Sequence, residues 1–174
     1  SISIGEKDLL LDPVIPEQID TALKTLQIPV LTTNLSGEPI PAQGSVSISR
    51  LQAPETLMKQ RLWSAPDRGY LSRRLFKIHF PNDVYMNEDQ ISKWKVLDTV
   101  WNGKFDSPAI DTLEIKDFGS WAPGAYLIEA VSLYQGQEVK ISKYFTVFDS
   151  RAATLPYPLA DWFVPLKVSC EPGE

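Results

Sequence analysis

The chain has 174 residues, an apolar fraction of 43% and a formal net charge of −5, with a sequence pI near 5.0. That is enough apolar material for one packed domain with length left over. An acidic chain speaks against nucleic acid or an anionic membrane as the partner, because both call for a basic face. The single cysteine, Cys170, excludes an internal disulfide. A domain of this size holds together without bridges, so cysteine usage leaves the compartment open.

Fourteen prolines are spread along the chain. They disfavour long helices and point to an all-β plan with many turns. No uninterrupted apolar run reaches the roughly 18 residues of a membrane-crossing helix. Residues 1–11, "SISIGEKDLLL", lack the basic start and long apolar stretch of a signal peptide. Without an initiator methionine the chain reads as a piece of a longer protein. Residues 1–22 are expected to be a lead-in segment or an extra strand, and a short helical turn is placed at Pro16–Ile19.

Leu26 to Thr33, with Ile28, Val30, Leu31 and two threonines, reads as a strand. Residues 34–44, "NLSGEPIPAQG", are dense in turn formers; Gly37 suits a positive φ, and Pro39 and Pro41 offer no ladder donor. "SVSISRL" then alternates as a half-buried strand, with Val46 and Ile48 set against Ser45, Ser47 and Ser49. The two runs are expected to pair as a hairpin. Residues 52–94 break the strand rhythm and read as an insertion. Within it a helix is predicted over 72–79, with Ser72 as N-cap, Leu71 and Phe76 at the staple positions, and Pro81 ending it.

Strand character returns at 95–106, where Asn102-Gly103 is either a tight hairpin turn or a bulge in one long strand. A further strand is expected at 109–115. The clearest pattern lies in "APGAYLIEAVSLYQGQEV", residues 122–139. Tyr126, Ile128 and Ala130 share one face, Leu127, Glu129 and Val131 the other, and Gln135-Gly136 turns the chain. The return strand carries Val139, Ile141, Phe145 and Val147 on one side, with Lys143 an exception. Residues 150–174 read as a linker toward a following domain. The count is six to eight strands in an antiparallel two-sheet sandwich, with the sandwich proper over 23–149.

Candidate chemistry is sparse. His79 is the single histidine, so a His-based zinc site is not available, and a place at a helix C-terminus explains it structurally. Cys170 has no nucleophile elbow around it. Asp83, Glu88 and Asp89 gather oxygen donors but lack the order and the glycine of a calcium loop. Paired carboxylates for glycoside cleavage cannot be read from spacing alone, and the acids here are scattered. Arg68, Arg73, Arg74 and Lys77 form a basic cluster that reads as the wet face of a helix whose other face carries Leu71, Leu75 and Phe76; contact with an acidic partner is the functional alternative. Asn34-Leu35-Ser36 matches a glycosylation sequon, though its turn setting accounts for both residues. Trp63, Trp94, Trp101 and Trp121 suit a sugar platform, a protein interface or, for at least half of them, the core.

Several segments in order resemble a macroglobulin-like domain of the bacterial alpha-2-macroglobulin family. They are "NLSGEPIPAQGSVSISRLQAP", "RLWSAPD", "LSRRLFKIHFPNDVYMNED", "WNGKFDS" and "PGAYLIEAVSLYQGQEVKISKYFTVFDS", with "WFVPLKVSCEPGE" similar to the approach to a next domain. The likeness covers most of residues 23–174. It implies an immunoglobulin- or fibronectin-like sandwich of about seven strands, one of several in a row. Members are large periplasmic or extracellular protease traps, often lipid-anchored, and many carry a C-x-E-Q thioester. Cys170 is followed by Glu171-Pro172-Gly173, so the thioester residues do not carry over. The resemblance therefore implies a non-catalytic scaffold with no catalytic, cofactor or metal residues. Its partners would be neighbouring domains of the same chain and, through the whole protein, proteases. The rival readings are an adhesion or carbohydrate-binding sandwich on a cell surface and an accessory domain beside a hydrolase.

Overall fold

Alternating burial sets the architecture. In the computed structural model, which describes residues 9–59, 71–107, 110–158 and 162, Leu26, Ile28, Val30 and Thr32 of one strand all point inward. The strands are β1 (Leu10–Pro13), β2 (Gln18–Asp20), β3 (Leu26–Thr33), β4 (Ala42–Gln52), β5 (Lys95–Ser107), β6 (Ile110–Ile115), β7 (Gly124–Tyr134) and β8 (Gln137–Phe148). The helix α1 (Arg73–His79) lies between β4 and β5. One sheet has the order β1-β3-β6 and the other β2-β8-β7-β4-β5. The molecule is thus an all-β sandwich of two sheets.

The core lies between the sheets. Ile28 and Val30 of β3 meet Val46 and Ile48 of β4, Tyr126 and Ile128 of β7, and Phe145 and Val147 of β8, all shut off from water. Each such side chain is worth about 1.5–3 kcal/mol of burial. An aromatic stack closes one end: Phe118 meets Trp121 at 5.3 Å, Trp121 lies over Tyr126 at 5.2 Å, and Tyr126 over Phe145 at 5.6 Å.

Of residues 1–22, Leu10–Pro13 and Gln18–Asp20 are strands, and Leu9, Leu11 and Ile19 are core residues. β1 runs antiparallel to β3, and the chain then crosses between Val14 and Gln18 so that β2 runs parallel to β8. That parallel pair departs from the expected all-antiparallel plan. It arises because the chain changes sheets without reversing direction. The segment Pro16–Ile19, expected as a helical turn, instead leads into β2.

The expected β3–β4 hairpin does not form. The turn itself closes, with the Asn34 amide donating to Glu38 O at 2.8 Å and the Ile40 amide to Thr32 O at 2.9 Å. Beyond it the chain leaves for the other sheet. Pro39 and Pro41 supply no amide to continue a ladder, and Thr32 Oγ1 ties off the Ile40 carbonyl at 2.6 Å. Asn102-Gly103 is neither a turn nor a bulge. Both residues pair in register with Ser47 and Val46, and the register breaks fall further up β5, where Val100 and Leu97 are skipped. Gly103 is required because a Cβ there would strike the indole of Trp101, two residues away on the same face.

Candidate functional site

The outer face of the five-stranded sheet carries a second, smaller cluster. Leu51 of β4 with Ala125 and Leu127 of β7 form its base, and Ile91, Trp94, Tyr144 and Tyr157 pack on them. Trp94 ends the insertion and Tyr157 follows β8, and their rings meet edge to face at 5.3 Å. The Trp94 indole N–H donates to Glu88 O at 2.8 Å, and Tyr157 Oη lies 3.2 Å from Thr146 Oγ1. The insertion and the outgoing chain are therefore fastened to the same sheet face and to each other.

The insertion is organised around Glu88. Its carboxylate pairs with Arg73 at 3.2 Å and accepts the Met86 amide at 2.8 Å. Partial burial would raise its pKa. The Met86 amide and the charges of Lys77 and Arg73 outweigh that, and the carboxyl is held below its usual value. Lys77 Nζ donates to Asp83 O at 3.2 Å, and Tyr85 Oη donates to Leu71 O at 3.0 Å. Asp83, Glu88 and Asp89 do not converge on a cation position. Among the described residues no group of three or more His, Cys, Asp or Glu is placed to hold a metal.

α1 forms where expected, with Ser72 Oγ accepting the Leu75 amide at 3.4 Å. Its orientation meets the expectation at Arg73, Arg74 and Phe76 and departs from it at Leu71, Leu75 and Lys77. Phe76 and Lys77 turn inward, while Leu75 and Ile78 face solvent and no residue of the helix is buried. The inward anchor is Phe76, whose ring lies 5.3 Å from Phe80 and 5.1 Å from Tyr85. With that residue fixed, the helical rotation of about 100° per residue carries Leu75 and Ile78 away from the Phe80 and Tyr85 rings. His79 is the exposed last residue of the helix.

Trp94, Trp101 and Trp121 are each half-buried and packed against one of the two clusters, so these three do not line up as an exposed platform. Trp162 packs edge-on to Phe148 at 5.7 Å. Beside it is an open cavity of about 480 Å³, lined by Asp20, Phe148, Asp149, Ser150 and Leu155 among others. Asp20 there accepts the Ser150 amide at 3.2 Å. Asn34 is the organiser of its turn. Its Oδ1 accepts the Ser36 and Glu38 amides, and its Nδ2, the atom a glycan would occupy, donates to Glu38. Trp63, Arg68 and Cys170 lie outside the described residues.

Two features escaped the sequence reading. Tyr126 Oη donates to Ala122 O at 2.7 Å and pins the entry to β7; "P-G-x-Y" was its visible trace. Tyr157 gave no signal, because a lone tyrosine among prolines does not reveal which sheet face it will cover. No protein-family model matches this sequence, and no curated protein matches it.

Proposed function

We propose that this chain is a non-catalytic scaffold module of a large bacterial alpha-2-macroglobulin-like protein of the cell envelope or extracellular space. In that role a rigid sandwich holds neighbouring domains at set angles within a protease trap. The partners are those neighbouring domains and, through the whole protein, proteases. The fold type proposed with it is immunoglobulin- or fibronectin-like.

The strand order is the observation that carries the reading. Taking β1 and β2 as a divided first strand, three strands β1-β3-β6 face β2-β8-β7-β4-β5, an order that supports the immunoglobulin-like reading. The Tyr126 hydroxyl bonded to Ala122 O lies at the start of β7, where such sandwiches place their tyrosine corner. The insertion adds a surface beyond what the sandwich needs, and its fastening to the outgoing chain through Trp94 and Tyr157 suits a part that transmits position.

The test is in the intact parent protein. Replacing residues 55–89 by a short Gly-Ser link retains Leu51, Ile91 and Trp94 in the chain. It should change domain packing in the parent and reduce protease trapping. Unchanged packing and trapping would sink the proposal, as would a parent with no further sandwich modules in tandem.

A further inference from the structure

We propose that the outward face of α1 docks a protein partner that presents an apolar patch rimmed by carboxylates. This rests on the scaffold reading for the partner's place, a neighbouring domain, and adds the chemistry that neighbour must offer.

The face is apolar at its centre. Leu75 and Ile78 are 47% and 62% exposed, and three residues apart on a helix they stand side by side. Leu71, Phe80 and Met86 of the same insertion are also exposed. Amphipathic helices ordinarily turn such residues to the core. Here Phe76 and Lys77 take the inner side, and Leu75 and Ile78 are left in water together on the outer side, where paired large apolar side chains mark an interaction surface. The helix is held from beneath by the Phe76 ring contacts, the Arg73–Glu88 pair and Lys77 on Asp83 O. A preordered helix loses little freedom on docking.

Charge selects the occupant. "RRLFKIH" contains two arginines and a lysine and no acid. Lys77 is turned inward and Arg73 is shared with Glu88, while Arg74 has no ion pair among the described residues. Interfaces of this build have an apolar centre and a polar rim of complementary sign. A second copy docked face to face would set cations against cations. An anionic membrane would meet a helix of only seven residues, too short to lay a long apolar face into a lipid surface.

The experiment is a methyl-detected NMR titration of the chain. The probes are two synthetic helical peptides with the same leucine face, one flanked by Glu and the other by Lys, and vesicles of anionic lipid. The Glu peptide should shift the Leu75 and Ile78 methyl signals saturably. Arg74→Glu should weaken it at least about tenfold and pass the preference to the Lys peptide. Leu75→Ser with Ile78→Ser, followed on the leucine methyl signals of the peptides, should abolish binding of either peptide. Both side chains are exposed, so an unchanged melting temperature verifies that these variants fold. Equal binding of the two peptides, binding of neither, or binding of vesicles alone overturns the proposal. So do signals that move with chain concentration in the absence of peptide. The readout is the isolated surface, so its failure is separable from failure of the scaffold reading, which is decided by the parent's domain order and trapping.

Discussion

Gln135 is the one non-glycine with a positive φ among the described residues. It has φ of 51° and Gly136 has φ of 79°, and together they close the β7–β8 hairpin between Tyr134 and Gln137. A two-residue turn with both φ positive matches the twist of the strands it joins, and it favours Asn-Gly. Gln lacks the short side chain that tolerates this region, and a left-handed residue costs about 1–2 kcal/mol. Gln135→Asn should therefore stabilise the chain by about 0.5–1 kcal/mol. The denaturation midpoint should rise with the slope unchanged, and a midpoint that stays or falls refutes the turn assignment. Lys143, the exception in an apolar strand face, has a similarly local cause. It stands where β1 passes toward the other sheet, and there its ammonium pairs with Asp12 and donates to Pro13 O at 3.0 Å. The alternation of β8 identified the residue as anomalous, but its partner lies 131 positions away in sequence.

At the scale of elements, the insertion and the segment after β8 share one small hydrophobic cluster. Trp94→Ala removes the ring that touches Tyr157 and covers Leu127, a loss of about 2–3 kcal/mol confined to that corner. Hydrogen exchange should show amides of 149–158 losing protection at least about tenfold while those of β7 keep theirs. Uniform loss across both segments would mean that the cluster is not a separable unit. The pH response of the insertion follows from Glu88. Its carboxyl is held below its ordinary value of 4.5, so the native state binds its proton less readily than the unfolded chain does. The stabilisation is present above the unfolded value and is lost as pH falls through the folded one. Acidification below about 4.5 should thus loosen residues 71–94 ahead of the sandwich. Tyr85 and Met86 NMR signals should shift before those of β4, and Glu88→Gln should remove that early step. Simultaneous change in both regions would contradict it.

Across the whole molecule, what the sequence disclosed was whatever depends on neighbours in the chain. β3, α1 and the β7–β8 hairpin were legible because period-two alternation, a Ser cap and a Gln-Gly turn are local signals. The choice of sheet was not. β3 and β4 differ little in pattern, yet one joins each sheet, because the decision rests on pairing with β6 and β7 far downstream. Within α1 the sequence placed Arg73 and Arg74 outward and Phe76 inward, as they are, but reversed Leu75 and Lys77, since Phe76's contact with Tyr85 sets the rotation. The same dependence on distant partners makes the first strands decisive for stability. Leu9, Leu11 and Ile19 are fully buried or nearly so, and β1 and β2 cover the edges of β3 and β8. Burial of the three is worth about 5–9 kcal/mol together, within the roughly 5–15 kcal/mol that holds a whole domain. A chain beginning at residue 23 would lose that burial and bare two strand edges, an arrangement that invites association. It is expected to show no cooperative unfolding transition and to aggregate on concentration. Leu10→Ser, at an exposed position of β1, should leave the full chain within about 0.5 kcal/mol of its original stability. A residue-23 variant that unfolds cooperatively near the midpoint of the full chain would show that β3 to β8 suffice, and that β1 and β2 only dress a core already closed.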